Sequence, residues 1–258
     1  MQDWLEGRIA ILTGASAGIG AAIARDFVRH GARVILNARR EARLQDLATE
    51  LGSDRVACVA GDAAEDETID RLFQVARERF EDEADLVVVN AGRGLNGSIT
   101  TSDPTQWEEM IRTNLLGAAK LMRAAAHHLV ADIENGDADW QQRARDIVVL
   151  GSNVGRHISP FSSMYGSTKF AVNSLAEALR REIGPKGVRV SLIEPGFVRS
   201  EFQGVAGYDE AWFAEVVDRI GPVLTPEDCA EIISFLVSRP PAVHLSDALI
   251  RPTRQDYP

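Results

Sequence analysis

The strongest constraint on the fold is an alternation. Short runs rich in β-branched residues end in Gly, Asn or Asp or in a carboxylate, and a helical stretch follows. The runs are 8–13 (RIAILT), 33–37 (RVILN), 55–60 (RVACVA), 86–90 (LVVVN), 147–151 (IVVLG) and 188–194 (VRVSLIE). They read as buried strands. Amphipathic stretches lie near 18–30, 40–51, 65–80, 104–131, 160–184 and 225–238. Such alternation predicts a parallel sheet with helices on both faces. Right-handed crossovers then give a single-domain Rossmann-type, doubly wound α/β fold spanning residues 1–258. Two segments depart from the rhythm. Residues 131–145 are polar and read as a surface excursion. Residues 199–222, with Phe202, Tyr208, Trp212 and Phe213, read either as a substrate lid or as a helical pair packed on the core.

Composition removes several functions. The 258 residues carry a formal net charge of −10, and no basic cluster offers a face to nucleic acid. No apolar run approaches the roughly 18–20 residues of a membrane span. The start (MQDWLE) lacks the basic and apolar regions of a signal peptide. Cys58 and Cys229 fit no metal-ligand spacing and read as reduced core residues of a cytoplasmic protein, so no metal is expected. Only three lysines occur, Lys120, Lys169 and Lys186. A lysine inside an apolar helix is therefore conspicuous.

The first strand runs into Thr13-Gly14-Ala15-Ser16-Ala17-Gly18-Ile19-Gly20. Glycines let the backbone turn tightly, and the following helix start presents free N–H groups to a pyrophosphate. The second strand ends Asn37-Ala38-Arg39-Arg40, with no carboxylate for a ribose diol. An arginine there suits a 2′-phosphate, which favours NADP(H) over NAD(H).

Ser152 closes the fifth strand, while Tyr165 and Lys169 stand four apart on one helical face. An ammonium beside a phenol is expected to lower its pKa from about 10, making Tyr165 a proton donor and acceptor.

Together with Asn90-Ala91-Gly92, Asn114 and Pro195-Gly196, these motifs resemble the short-chain dehydrogenase/reductase family from about residue 7 onward. The resemblance implies catalytic roles for Asn114, Ser152, Tyr165 and Lys169. Tyr165 would be the acid/base, Lys169 a ribose ligand, Ser152 a donor to the substrate oxygen and Asn114 the holder of a relay water. It implies cofactor contacts from Gly14, Ser16, Gly18, Ile19, Gly20, Asn37, Arg39, Asp62, Ala63, Asn90, Ala91, Gly92, Pro195, Gly196, Val198 and Ser200, besides Tyr165 and Lys169. Three positions depart from common members: Val89 where Asn is frequent, Ser200 for Thr, and Ala17 where NADP-using members often have a basic residue. A homotetramer packed through 104–131 and 160–184 is also implied.

The segment Leu249-Ile250-Arg251-Pro252-Thr253 resembles the subgroup of serine, 3-hydroxy acid and clavaldehyde dehydrogenases, in which it follows the last strand. The expected reaction is reversible hydride transfer between a nicotinamide and a small polar carbonyl or alcohol. Arg93, Arg156, His157 and Arg199 are candidates to meet an acidic substrate such as a keto-sugar acid or hydroxy acid, together with Ser152 and Tyr165. Reduction of neutral ketones or aldehydes is the alternative. A catalytically silent NADP-binding sensor is disfavoured by the complete tetrad, and an extended epimerase or dehydratase by the length.

Overall fold

Seven parallel strands form one sheet in the order β3-β2-β1-β4-β5-β6-β7. They are β1 (Ile9–Thr13), β2 (Arg33–Ala38), β3 (Val56–Ala60), β4 (Leu86–Val89), β5 (Arg145–Leu150), β6 (Val188–Pro195) and β7 (Asp247–Ile250). The computed structural model describes residues 3–136 and 140–257. The helices are α1 (Gly18–Arg29), α2 (Glu41–Leu51), α3 (Asp66–Phe80), α4 (Trp107–Ile111), α5 (Ala118–Asn135), α6 (Ser163–Ile183), α7 (Phe202–Ala206), α8 (Glu210–Ile220) and α9 (Pro226–Val237). None of the described helices is long and apolar enough to cross a membrane.

Strand periodicity decides which helix packs where, because successive side chains point to opposite faces. Ile9 and Ile11 of β1 join Val87, Val89, Ile147 and Val149 in one core, closed by Phe73 of α3, Leu121 of α5 and Val172 of α6. Ala10 and Leu12 join Val34, Leu36, Val88 and Val148 in the other, closed by Phe27 of α1, Leu44 of α2 and Ile233 of α9. Burial on both faces is why the central strands are apolar throughout. Phe27 and Phe73 are wholly inside, and each stabilises the fold by about 1.5–3 kcal/mol relative to exposure.

The chain proceeds from β1 outward to β3, then returns to place β4 on the other side of β1. A crevice opens at such a reversal, beyond the carboxyl ends of the strands. The six expected strands are all present, and β7 is added. Leu249 and Ile250 therefore belong to the last strand rather than following it, pairing with Glu194 and Pro195. The helix expected to stop near 131 continues to Asn135. That shortens the polar excursion, of which residues 137–139 lie outside the described residues, as do Met1 and Gln2. The 199–222 stretch folds as α7 and α8, and α8 buries only Val216 and Ile220.

Candidate active site

One cleft of about 900 Å³ runs along the carboxyl edge of the sheet. At one end Thr13 leads into the glycine turn. Gly14 has φ +68°, and a Cβ on it would stand 2.8 Å from Asn90 Nδ2. A Cβ on Gly20 would collide with the Gly14 carbonyl at 2.3 Å. Both positions thus need glycine, one for conformation and one for closeness. Asn90 clamps the turn, donating to the carbonyls of Thr13 at 2.8 Å and Gly14 at 3.3 Å. Thr13 Oγ1 in return accepts from the amides of Asn90 and Ala91.

Helix α1 starts at Gly18 behind Ala17, with no side-chain cap and no acidic residue in its first turn. Its free N–H groups and positive dipole end face the cleft, where Ser16, Gly18, Ile19 and Gly20 form the wall. That is the cradle a pyrophosphate requires. Ser200 packs over Gly18, 3.5 Å from where a Cβ would be. Arg39, Arg40, Asp62, Ala63, Ala91 and Gly92 line the same end.

Asp62 is committed to protein partners. It accepts from the Ala64 amide at 2.9 Å and from Arg112 at 2.7 Å. Burial opposes its ionisation, but hydrogen bonds from Arg112 and Ala64 outweigh that and hold its pKa below the usual value. Asn37 is wholly buried and donates to the carbonyls of Val59 and Gly61, binding β2 to β3. Its Oδ1 has no protein partner.

The other end gathers the polar residues picked out in the sequence. A π turn over Arg112–Gly117 joins α4 to α5, putting Thr113 in the cleft wall and Asn114 buried just behind Gly92. Such a turn inserts a residue into a helix and re-aims its side chains. Asn114 donates to the Arg93 carbonyl and accepts from its amide, both at 2.8 Å, and reaches Thr168 Oγ1 at 3.1 Å. Thr168 in turn donates to the Tyr165 carbonyl at 2.7 Å. A Cβ on Gly92 would lie 3.3 Å from Asn114 Oδ1 and 3.8 Å from Lys169 Nζ, so three separate motifs meet at one point. Gly155 lets the turn after Ser152 rest on the backbone of Lys169, where a Cβ would be 2.9 Å away.

Lys169 is buried, and its Nζ donates to the Leu150 carbonyl at 2.7 Å. Burial alone lowers its pKa to about 8. Tyr165 is buried too, and burial pushes its phenol well above the usual range, against a lowering hydrogen bond from Ser152. The expected depression of the Tyr165 pKa by Lys169 is therefore not found. The ammonium stands 5.9 Å from the ring centroid and is turned to Leu150, so desolvation of the phenol dominates.

At the end of β6 and in the turn after it, Pro195, Gly196, Val198 and Ser200 line the cleft. Gln203 fixes this turn by accepting from the Ser200 amide at 3.0 Å and donating to the Val198 carbonyl at 2.8 Å.

The cations expected near an acidic substrate do not gather. Arg156 turns away to Glu194 and Asp247, at 2.5 and 3.1 Å. Exposed His157 meets Arg251 at 2.7 Å, and neither it nor Arg199 lines the cleft. Arg93 does line it, but its guanidinium is paired with Glu109 and Gln106. Phe161, Phe197, Phe202, Tyr208 and Trp212 form this end instead. Tyr208 stacks on Trp212 with centroids 5.3 Å apart, and Phe202 tilts against Tyr165 at 5.5 Å.

Sequence reasoning missed Arg112 and Gln203, which carried no signal. Arg40 stands beside Arg39 in the sequence. Its contact with Ser16 Oγ, at 2.9 Å, could not be foreseen.

Residues 8–211 match the family model described as short chain dehydrogenase. An uncharacterized oxidoreductase of Staphylococcus aureus (strain MW2) is 30% identical over 248 residues, 96% of this chain and 98% of the relative. A serine dehydrogenase solved in its closed form with NADP+ superposes with a TM-score of 0.83 at 30% identity, covering 96% of both chains. A 3-ketoacyl-(acyl-carrier-protein) reductase from Brucella melitensis, complexed with NADH, gives 0.85 at 25% identity over 97% of this chain and 99% of its own. An alcohol dehydrogenase from the archaeon Thermococcus sibiricus, complexed with 5-hydroxy-NADP, gives 0.80 at 29% over the same shares. Matched by family model, relatives and fold alike, the chain is an oxidoreductase belonging to the short-chain dehydrogenase family.

Proposed function

We propose that the protein is an NADP(H)-dependent oxidoreductase that reversibly reduces a small carbonyl compound, with an uncharged substituent, to its alcohol. The observation that carries this reading is the convergence of Ser152, Tyr165 and Lys169 on one cleft, with Asn114 behind its Gly92 wall, whose far end is an uncapped helix start flanked by Arg39 and Arg40.

The cradle fits a dinucleotide. Gly14, Ser16, Gly18, Ile19 and Gly20 would hold the pyrophosphate through backbone N–H groups, with Ser200 above. Arg39 and Arg40, whose present partners Glu109 and Glu201 are exposed at 3.2 Å each, would exchange them for the 2′-phosphate. Asn37, Asp62, Ala63, Asn90, Ala91 and Gly92 would border the adenosine, and Pro195, Gly196 and Val198 the carboxamide. NADPH, when bound there, would supply the hydride for the carbonyl carbon.

The chain's own residues handle the oxygen. The Tyr165 phenol, held protonated by burial, gives its proton to the developing alkoxide. The Ser152 hydroxyl donates a hydrogen bond to the same oxygen, stabilising charge as it forms. Lys169 presents an ammonium that would reach the nicotinamide ribose. Asn114 locks the backbone at Arg93 and, through Thr168, the helix bearing Tyr165.

The aromatic walls and the self-paired arginines support a neutral substrate over a carboxylate. The α7–α8 segment would act as the substrate lid. Leu116, Phe170 and Leu175 stay exposed on the middle helices, in keeping with a homotetramer packed there; light scattering tests that assembly. The activity is tested by kcat/KM with NADPH and NADH against neutral aldehydes, ketones and keto acids. Preference for NADPH and for neutral carbonyls is expected. A preference for NADH, or for keto acids, would contradict the corresponding half of the proposal.

A further inference from the structure

The chain has three tyrosines, and all three line the large cleft. Tyr165 and Tyr208 belong to elements already described. Tyr257 comes from the segment after β7, and the proposed chemistry gives it no task.

Three consecutive side chains of that segment each bind a different wall. Gln255 Oε1 accepts from the Phe197 amide at 3.1 Å, in the turn after β6. Gly196 makes room for it, since a Cβ there would lie 2.2 Å from the same oxygen. Asp256 accepts from Arg219 of α8 through both oxygens, at 2.8 and 2.9 Å. Tyr257 Oη donates to the Ile158 carbonyl at 2.7 Å, in the loop after Ser152. The strap thus joins the nicotinamide-side turn, the lid helix and the loop that carries the substrate-oxygen donor.

We infer that this segment forms the distal wall of the substrate site, and that Tyr257 determines specificity for an apolar, uncharged substituent on the carbonyl compound. The inference rests on the carbonyl-reducing reading above and deepens it. With its hydroxyl held by Ile158, Tyr257 has its ring left to meet the ligand. An aromatic ring tethered at its polar tip is a rigid apolar surface. Phe161, Val205 and Trp212 line the same cleft, as do Asp209, Glu215 and Arg219 at the start of and along α8. Arg219 is already paired with Asp256. A carboxylate substituent would find no free cation here and two acids, whereas an alkyl or phenyl group would find hydrocarbon.

The test is steady-state reduction of unbranched aldehydes from propanal to 3-phenylpropanal with NADPH, by wild type, Tyr257→Ala, Tyr257→Phe and Asp256→Asn. NADPH Kd and thermal midpoints are read alongside. Wild-type kcat/KM should rise along the series. Tyr257→Ala should lower it about tenfold or more for the phenyl member, mainly through KM, and progressively less for shorter ones. Tyr257→Phe should keep most of the gain, because the ring remains. Asp256→Asn, which loosens α8, should raise KM for the longest members a few-fold. NADPH Kd should stay within about twofold throughout. Equal losses for every aldehyde, or a matching loss of NADPH affinity, would overturn the proposal while leaving the parent reading intact. A wild type that reduces no member of the series would overturn both.

Discussion

The two ends of the sheet use charge in opposite ways. At the amino end, Asp85 and Asp146 are almost wholly buried and fully engaged. Asp146 holds Arg189 through two bonds, at 2.7 and 2.9 Å, and Arg8 at 2.8 Å. Asp85 pairs with Arg8 at 3.0 Å and Arg143 at 2.9 Å and accepts from the Ile9 amide. Arg189 also donates to the carbonyls of Val237, Arg239, Pro240 and Val243. At the carboxyl end, Lys169 is buried too, yet its ammonium donates to a backbone carbonyl and pairs with no carboxylate among the described residues. The Tyr165 ring centroid stands 5.9 Å away. A buried charge without an opposite charge is costly. The shift from 10.5 to about 8 corresponds to about 3 kcal/mol held against the charged form. The amino end is closed upon itself and serves stability. The carboxyl end is left incomplete, as a binding site must be.

Substitutions at the two ends should separate accordingly. The largest stability effect is expected from Asp146→Ala, which removes the carboxylate partner of Arg189 and one of the two of Arg8. We expect a loss of about 3–5 kcal/mol in denaturant unfolding, with little change in turnover per folded molecule. Lys169→Met should do the reverse, lowering kcat about a hundredfold or more while the thermal midpoint holds or rises. A fall in midpoint as large as that of Asp146→Ala would break the contrast.

The same lysine gives a pH signature. Its folded pKa lies below its unfolded value, so the folded state binds fewer protons between about pH 8 and 10.5. Its contribution to stability therefore rises with pH across that window. Its charge at the site is lost over the same range, so reduction should slow above about pH 8. Comparing wild type with Lys169→Met, by unfolding and by kcat against pH, isolates both trends; their presence in both proteins would assign them elsewhere. The smallest effect is expected from Arg39→Ala. It should weaken NADPH binding roughly 10- to 100-fold, through a charge-assisted contact of about 1.5–3 kcal/mol, and leave NADH unchanged. Equal loss for both would remove Arg39 from the phosphate site.

The amino acid order made the carboxyl end more legible than the amino end. Gly14, Gly20, Tyr165 and Lys169 are constrained by local spacing, so they could be read directly. Strand β7 could not, because Asp247–Ile250 is only four residues, alternately exposed, and owes its place to pairing with β6. The π turn at Asn114 has no local signature. Arg156 was mislocated for the same reason. Its partner Glu194 lies 38 positions away, and only the folded sheet brings them together. The Tyr165 pKa was misjudged because helical spacing gives a shared face but not the direction of an ammonium nor the dryness around a phenol.

The most direct test of the central claim is Tyr165→Phe. The substitution removes one hydroxyl from a residue packed against Phe202 and should leave the fold and the NADPH Kd intact. With a neutral aldehyde and saturating NADPH, kcat is expected to fall about a thousandfold, the scale of a lost proton donor. Near-normal kcat in a variant that still binds NADPH would contradict the account, because the proton would then come from elsewhere.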